Sequence, residues 1–140
     1  FLAHGCNTEG VMGAGIARLI KEKWPNVFEV YADSPRQMGT LSYAYLREGD
    51  QQMMANIITQ NLPKDGSRPV KYDAVYDGFD SLRRMMINCD AKTLGIPMIG
   101  AGLGGGDWKV IESIIYSVFE DTDIVITVYV LEDKMIPEWA

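Results

Sequence analysis

The sequence predicts a three-layer α/β/α sandwich built around a central mixed sheet. Three observations point to it. Short apolar runs alternate with amphipathic helical segments along nearly the whole chain, one adjacent pair of strand-like runs in the middle interrupts that alternation, and two glycine-rich turns stand where a strand hands over to a helix. With 140 residues, 47% hydrophobic and 23% charged, the chain has material for one buried core and is too short for two ordinary domains. A single domain spanning residues 1–140 is expected.

Taken in order, Phe1 to Gly5 reads as a buried strand, and Gly13 to Trp24 as a helix on which Ile16, Leu19 and Ile20 share one face. Pro25 ends or bends that helix. Val27 to Ala32 forms a second short helix that closes at Ser34-Pro35, because a residue before proline is pushed out of the helical region. Leu41 to Arg47 and Met53 to Thr59 are strands joined by the turn at Glu48-Gly49-Asp50. Asn61 to Lys71, with Pro63, Gly66, Ser67 and Pro69, is an exposed connection long enough to cover a ligand. Val75, Phe79, Leu82, Met86 and Ile87 then mark a long amphipathic helix from Tyr72 to about Lys92. Ile96 to Ile99 is a short strand, Trp108 to Phe119 a helix, and Ile124 to Leu131 a β-branched run fit for a central strand.

The formal charge of −6 gives no electrostatic footprint for a nucleic-acid polymer or an anionic membrane. An anionic ligand must then be captured by local dipoles, which suits a small phosphorylated metabolite better than a polymer. Cys6 and Cys89 fall in unrelated contexts and neither belongs to a metal-type pair, so a reduced cytoplasmic protein without cofactor or metal is expected. No apolar run approaches the length of a membrane span. A monomer is expected.

The two glycine stretches, Gly10 to Gly15 and Gly100 to Gly106, carry most of the functional information. Glycine lets backbone N–H groups approach a ligand closely, and a helix N-terminus favours negative charge, so paired turns of this kind suit a diphosphate. Gly100, Gly102 and Gly105 formally match a dinucleotide fingerprint, but only about one helix and one strand follow them, where that fold needs several further βα units. His4, the lone histidine, is expected at the tip of the first strand, either as an acid/base group or as a strand histidine satisfied by a backbone neighbour. Asn7 can serve a sugar hydroxyl, an Asx-turn, or both. Asp107 stands where the helix from Trp108 needs an N-cap and also faces whatever the preceding glycines hold. Gln60 ends a strand on the same rim and can hydrogen-bond a ligand. Trp24, Phe28, Trp108 and Phe119 read as core packing.

The runs HGCNTEGVMGAGIA, IPMIGAGLGGGDW and DIVITVYVLE, in this order and spacing, resemble the macrodomain family, in the branch of terminal ADP-ribose protein glycohydrolases and ADP-ribose 1″-phosphate phosphatases. The resemblance covers nearly the whole chain. It implies that Gly10, Val11, Met12, Gly13, Ala14, Gly15 and Ile16, together with Gly100, Ala101, Gly102, Leu103, Gly104, Gly105 and Gly106, clamp the diphosphate and distal ribose of ADP-ribose, with Asn7 near the ribose hydroxyls. Family members carry a further strand and a Gly-Asp pair for adenine ahead of the strand matching Phe1 to Gly5; this sequence shows no such segment. Glycohydrolases of the branch use a lysine and an aspartate at the positions of Gln60 and Gly104, so their Schiff-base route is not expected here. Yeast-type phosphatases of the branch carry a histidine at the position of His4. The resemblance thus implies a metal-independent phosphatase acting on ADP-ribose 1″-phosphate, with His4 and Asp107 as its acid/base or nucleophilic pair. A non-catalytic ADP-ribose reader, and a glycohydrolase acting on protein or nucleic acid through Asp107, are the alternatives.

Overall fold

The computed structural model describes residues 1–13, 15–49, 51–101 and 104–130. They form β1 (Leu2–Asn7), α1 (Gly15–Lys23), α2 (Pro25–Asp33), β2 (Leu41–Tyr45), β3 (Met53–Gln60), α3 (Tyr72–Asn88), β4 (Thr93–Pro97), α4 (Trp108–Phe119) and β5 (Val125–Tyr129). The sheet order is β2-β3-β1-β4-β5; β2 is antiparallel to β3 and all other pairs are parallel. This is the expected mixed sheet, with the adjacent strands β2 and β3 as the break in alternation.

Period-2 alternation along β1 sorts side chains between two helical layers. Leu2 packs with Ile20 of α1 and Val27 of α2, and Cys6 with Met12 and Tyr31. Ala3 joins Phe79, Leu82 and Met86 of α3 and Ile111 and Ile115 of α4 in the larger core on the other face. Phe79 and Phe119 meet edge to face, with ring centroids 6.3 Å apart. Met53 through Thr59 are all buried, as a strand covered on both faces requires.

Three expectations need correction. The long helix ends at Asn88 and not near Lys92, because Asp90 adopts φ 58°, a left-handed conformation that stops the helix. The strand expected at Ile96 to Ile99 is β4, shifted to Thr93–Pro97. Gly95, which reads locally as a turn former, sits inside it because a Cβ there would lie 2.8 Å from both Leu2 Cδ2 and Tyr129 Cε2. The β-branched run is an edge strand among the described residues: there β5 pairs only with β4, and its residues alternate between exposed and half-buried. The central position belongs to β1.

Close packing of α3 on the sheet rests on Gly78, where an added Cβ would overlap Ile57 Cγ2. In an exposed helix Gly→Ala gains about 1 kcal/mol. Here the overlap reverses the sign: Gly78→Ala is expected to destabilise the fold by about 1–3 kcal/mol, read as a lower urea midpoint with an unchanged denaturant slope.

Candidate functional site

The C-terminal ends of β1, β3 and β4 share one rim, and both glycine turns leave from it. Asn7 closes β1 opposite Gln60, after a register shift between Cys6 and Asn7. Its side chain organises the first loop. Oδ1 accepts from the backbone N–H of Glu9 at 3.0 Å and of Val11 at 3.3 Å, while Nδ2 donates to the Val11 carbonyl at 2.9 Å. The Asx-turn is therefore present. Tyr31 of α2 completes it, its hydroxyl lying 2.7 Å from both the backbone oxygen and Oδ1 of Asn7. Burial pushes the Tyr31 phenol up to about 12, so it stays a donor at any ordinary pH.

Within the first loop, Met12 turns its side chain into the core beside Cys6 and Tyr31, so only its backbone is available to a ligand. Val11, Gly13 and Gly15 are exposed, and Gly10 is half-buried at φ 80°. Gly10 lies against the Arg36 guanidinium, whose Cζ would be 3.1 Å from a Cβ at that position. Arg36 donates from Nε to the Thr8 carbonyl at 3.2 Å and from Nη1 to the Ala32 carbonyl, which fixes a positive charge beside the loop. Ile16, expected among the ligand contacts, is partly buried and packs against the core cluster that contains Leu2, Ile20 and Val27. Ala14 lies outside the described residues.

The second loop closes on itself, with the Gly106 N–H donating to the Gly100 carbonyl at 2.8 Å. Gly100 adopts φ 75°, and a Cβ there would press on Val70 and Ile111, so both conformation and space demand glycine. Gly105 is exposed, Ala101 and Gly106 are half-buried, and Gly102 and Leu103 lie outside the described residues. Gln60 and Gly104 are brought together: a Cβ at Gly104 would be 2.9 Å from Gln60 Oε1 and 2.7 Å from the Gly100 carbonyl oxygen. Asp107 caps α4 by accepting from the Lys109 N–H at 2.9 Å through Oδ1. The residue is exposed, and its second oxygen takes no part in the cap.

His4 is not at the strand tip. It stands in the middle of β1, 0% exposed, on the face covered by α1 and α2. Asn56, its partner in the β3 register, lies 2.6 Å away through Oδ1, and Asn56 Nδ2 donates to the Val27 carbonyl and to Ser42 Oγ, both at 3.2 Å. Because the amide nitrogen is committed, Oδ1 must face the ring, and His4 donates from Nε2. Desolvation by burial lowers its pKa to about 4, against the favourable bond to Asn56, and holds the ring neutral near pH 7. Burial likewise pushes the Cys6 thiol up. The ring makes no contact with either glycine loop through these bonds; it ties β1 to β3 and, through Asn56, to α2.

The family model Macro domain matches residues 3–115, most of the chain. The chain belongs to the macrodomain family. Among its relatives, human ADP-ribose glycohydrolase OARD1 is 31% identical over 130 residues, covering 93% of this chain and 81% of the relative. ADP-ribose 1″-phosphate phosphatase from Candida albicans is 28% identical over 122 residues, covering 80% and 77% of the two chains. A solved structure of a protein of unknown function from Bacteroides thetaiotaomicron matches with a TM-score of 0.85 at 28% identity, covering 93% of this chain and 86% of that one.

In this macrodomain, no helix among the described residues is long and apolar enough to cross a membrane, and no group of three or more potential metal ligands occurs among them. Tyr31, Arg36, Asn56, Arg68 and Tyr72 escaped the reading of the sequence. Only Asn56 carried a local signal, as one amide in the otherwise apolar run Met53 to Ile58, which demands a buried partner.

Two outcomes follow from these contacts. Tyr31→Phe removes one donor to Asn7 and is expected to cost about 1 kcal/mol and to speed hydrogen exchange at the Glu9 and Val11 amides, with α3 and α4 unaffected. For His4, the folded pKa lies below the unfolded value of 6.5, so the unfolded chain binds the proton more readily. Stability is full above about pH 6.5, falls as pH drops toward about 4, and levels off below, a contribution of about 3 kcal/mol. Stability from urea unfolding should rise more steeply with pH across that window in wild type than in His4→Gln; an equal pH dependence would contradict this assignment.

Proposed function

We propose that this macrodomain binds ADP-ribose between its two glycine loops and hydrolyses ADP-ribose 1″-phosphate to ADP-ribose and phosphate. The observation carrying the reading is the contact between Gln60 and Gly104. An amide facing a bare glycine supplies neither the amine for a Schiff base nor a carboxylate for proton transfer. Glycosidic cleavage at the distal ribose by that route is thereby disfavoured. Membership of the family and the shared mention of ADP-ribose in the names of the human and Candida relatives support the ligand class.

Hydrolysis of the monoester joins a water oxygen to phosphorus, breaks the bond from phosphorus to the ribose oxygen, and returns a proton to that oxygen. Asp107 is given the proton-handling role, since its carboxylate is exposed at the mouth of the second loop with one oxygen uncommitted to the cap. Enclosed and neutral, His4 is assigned a positioning role through Asn56 and α2 in place of direct contact with phosphorus. The first loop, shaped by the bonds from the Glu9 and Val11 N–H groups to Asn7, holds the diphosphate through its other backbone N–H groups.

Asparagine caps a helix as well as aspartate does, so Asp107→Asn tests the charge without loosening α4. Phosphate release from ADP-ribose 1″-phosphate is expected in wild type and roughly 100-fold slower in Asp107→Asn, with the melting temperature unchanged. Identity with the human glycohydrolase favours a second reading, which the same experiment decides. Release of ADP-ribose from ADP-ribosylated protein or DNA, without phosphate release, would replace the phosphatase by a glycohydrolase. Binding of ADP-ribose with turnover of neither substrate would make the domain a reader, and no binding in calorimetry would end all three readings.

A further inference from the structure

Segment 61–71 folds back along the end of β3. The Asn61 N–H donates to the Pro69 carbonyl at 3.2 Å, and the Lys71 N–H to the Thr59 carbonyl at 2.9 Å. Val70 bridges Gln60, and its N–H donates to the Gly104 carbonyl at 3.1 Å, so the segment forms a wall against the second loop. Arg68 stands on that wall beside Gly105, its Cγ 3.7 Å from where a Cβ would be. Its guanidinium carbon lies 4.0 Å from the centre of the Tyr72 ring, and Nε donates to the Val70 carbonyl at 3.0 Å. These contacts fix the plane of the guanidinium of an exposed arginine through its Nε and its ring-facing side, and the bond to Val70 does not engage its two Nη groups.

Tyr72 also reaches the second loop. Its hydroxyl accepts from the Asp107 backbone N–H at 3.1 Å. One ring thus carries Arg68 on its face and Asp107 at its hydroxyl. In a chain of net charge −6, a dianionic group brought to the Asp107 carboxylate meets repulsion unless a cation is held nearby. A guanidinium presents a planar fork of donors that matches phosphoryl oxygens, and an aromatic face under it reduces the ordering needed to bind.

We infer that Arg68, stacked on Tyr72, is a binding site for a phosphoryl group carried on the distal ribose and sets a preference for ADP-ribose 1″-phosphate over ADP-ribose. This rests on the ADP-ribose reading above and adds the residue that distinguishes the phosphorylated ligand from the plain one. The same chemistry serves a free metabolite or the phosphate of a nucleic-acid end, and the arms of the test separate them.

Calorimetry with ADP-ribose, ADP-ribose 1″-phosphate and a 5′-phosphorylated oligonucleotide is done in the Asp107→Asn background, where hydrolysis is suppressed. With Arg68 present, ADP-ribose 1″-phosphate is expected to bind roughly tenfold more tightly than ADP-ribose, the oligonucleotide not measurably, and the preference to shrink as salt is raised. Arg68→Gln should abolish the preference while ADP-ribose affinity stays within about twofold; Arg68→Lys should keep part of it. Tyr72→Leu should lower it in the same direction. Equal loss for both nucleotides in Arg68→Gln would mean that the arginine merely supports the loop, and no change in either would remove it from the site; both overturn the inference and leave the ADP-ribose reading standing. Tight binding of the oligonucleotide through Arg68 would overturn the assignment to a ribose-borne phosphate. Failure of wild type to bind ADP-ribose at all overturns the reading and the inference together.

Discussion

The bond between His4 and Asn56 in the middle of the β1–β3 pair is the contact on which the rest of the structure depends. Both side chains are wholly buried, and each is satisfied only in the observed register. A slip of one residue would turn Asn56 to the opposite face, among Ala55 and Ile57, and strand two polar groups in an apolar layer. The pairing is parallel, so no tight turn fixes it, and a polar lock supplies what hairpin geometry cannot. With that register set, Asn7 and Gln60 end their strands side by side, and the rim of the site is defined. Asn56 extends the lock to α2 through the Val27 carbonyl, and α2 brings Tyr31 to Asn7.

Above this lock, the site is built with its side chains turned inward. Asn7 spends its amide on the first loop, Met12 lies in the core, and Arg36 is bound to carbonyls behind Gly10. In the first loop, what remains at the surface is backbone and the side chain of Val11. In an acidic chain, fixed N–H dipoles offer an anion local attraction without side-chain ordering on binding. This arrangement also explains why the loops read as glycine in sequence while their rigidity comes from residues elsewhere.

The fold was legible where period and turn chemistry agree. α4 has its expected bounds because Asp107 caps a clean apolar stripe ending at Phe119, and the mixed sheet followed from two adjacent strands without a helix between them. Position within the sheet was not legible. The run Val125–Tyr129 has the β-branched composition of a central strand, yet strand order is set by crossovers, and β5 lies at the edge. His4 reads as the strand tip for a related reason: β1 stops at the change to Asn7-Thr8-Glu9-Gly10, and the glycine at position 5 reads as an earlier end. Gly5 is a strand residue because Thr59 Oγ1 and Ile99 Cγ2 leave no room for a Cβ. Tyr31 and Tyr72 could not be seen at all, since each acts on a residue at least 24 positions away.

The departures at positions 60 and 104 are one physical fact. Gln60 reaches into the second loop, and its amide oxygen occupies the space beside Gly104. That oxygen is the end of a flexible side chain and can give way; the Gly100 carbonyl on the other side cannot, because it is held by the Gly106 N–H that closes the loop. A carboxylate at position 104 therefore requires the loop to open, whatever stands at position 60. The tight winding that excludes it also brings Gly105 and Asp107 against Arg68 and Tyr72. The carboxylate that position 104 cannot hold has its nearest counterpart in the sequence at Asp107, on the turn into α4, and the shape of one loop accounts for both.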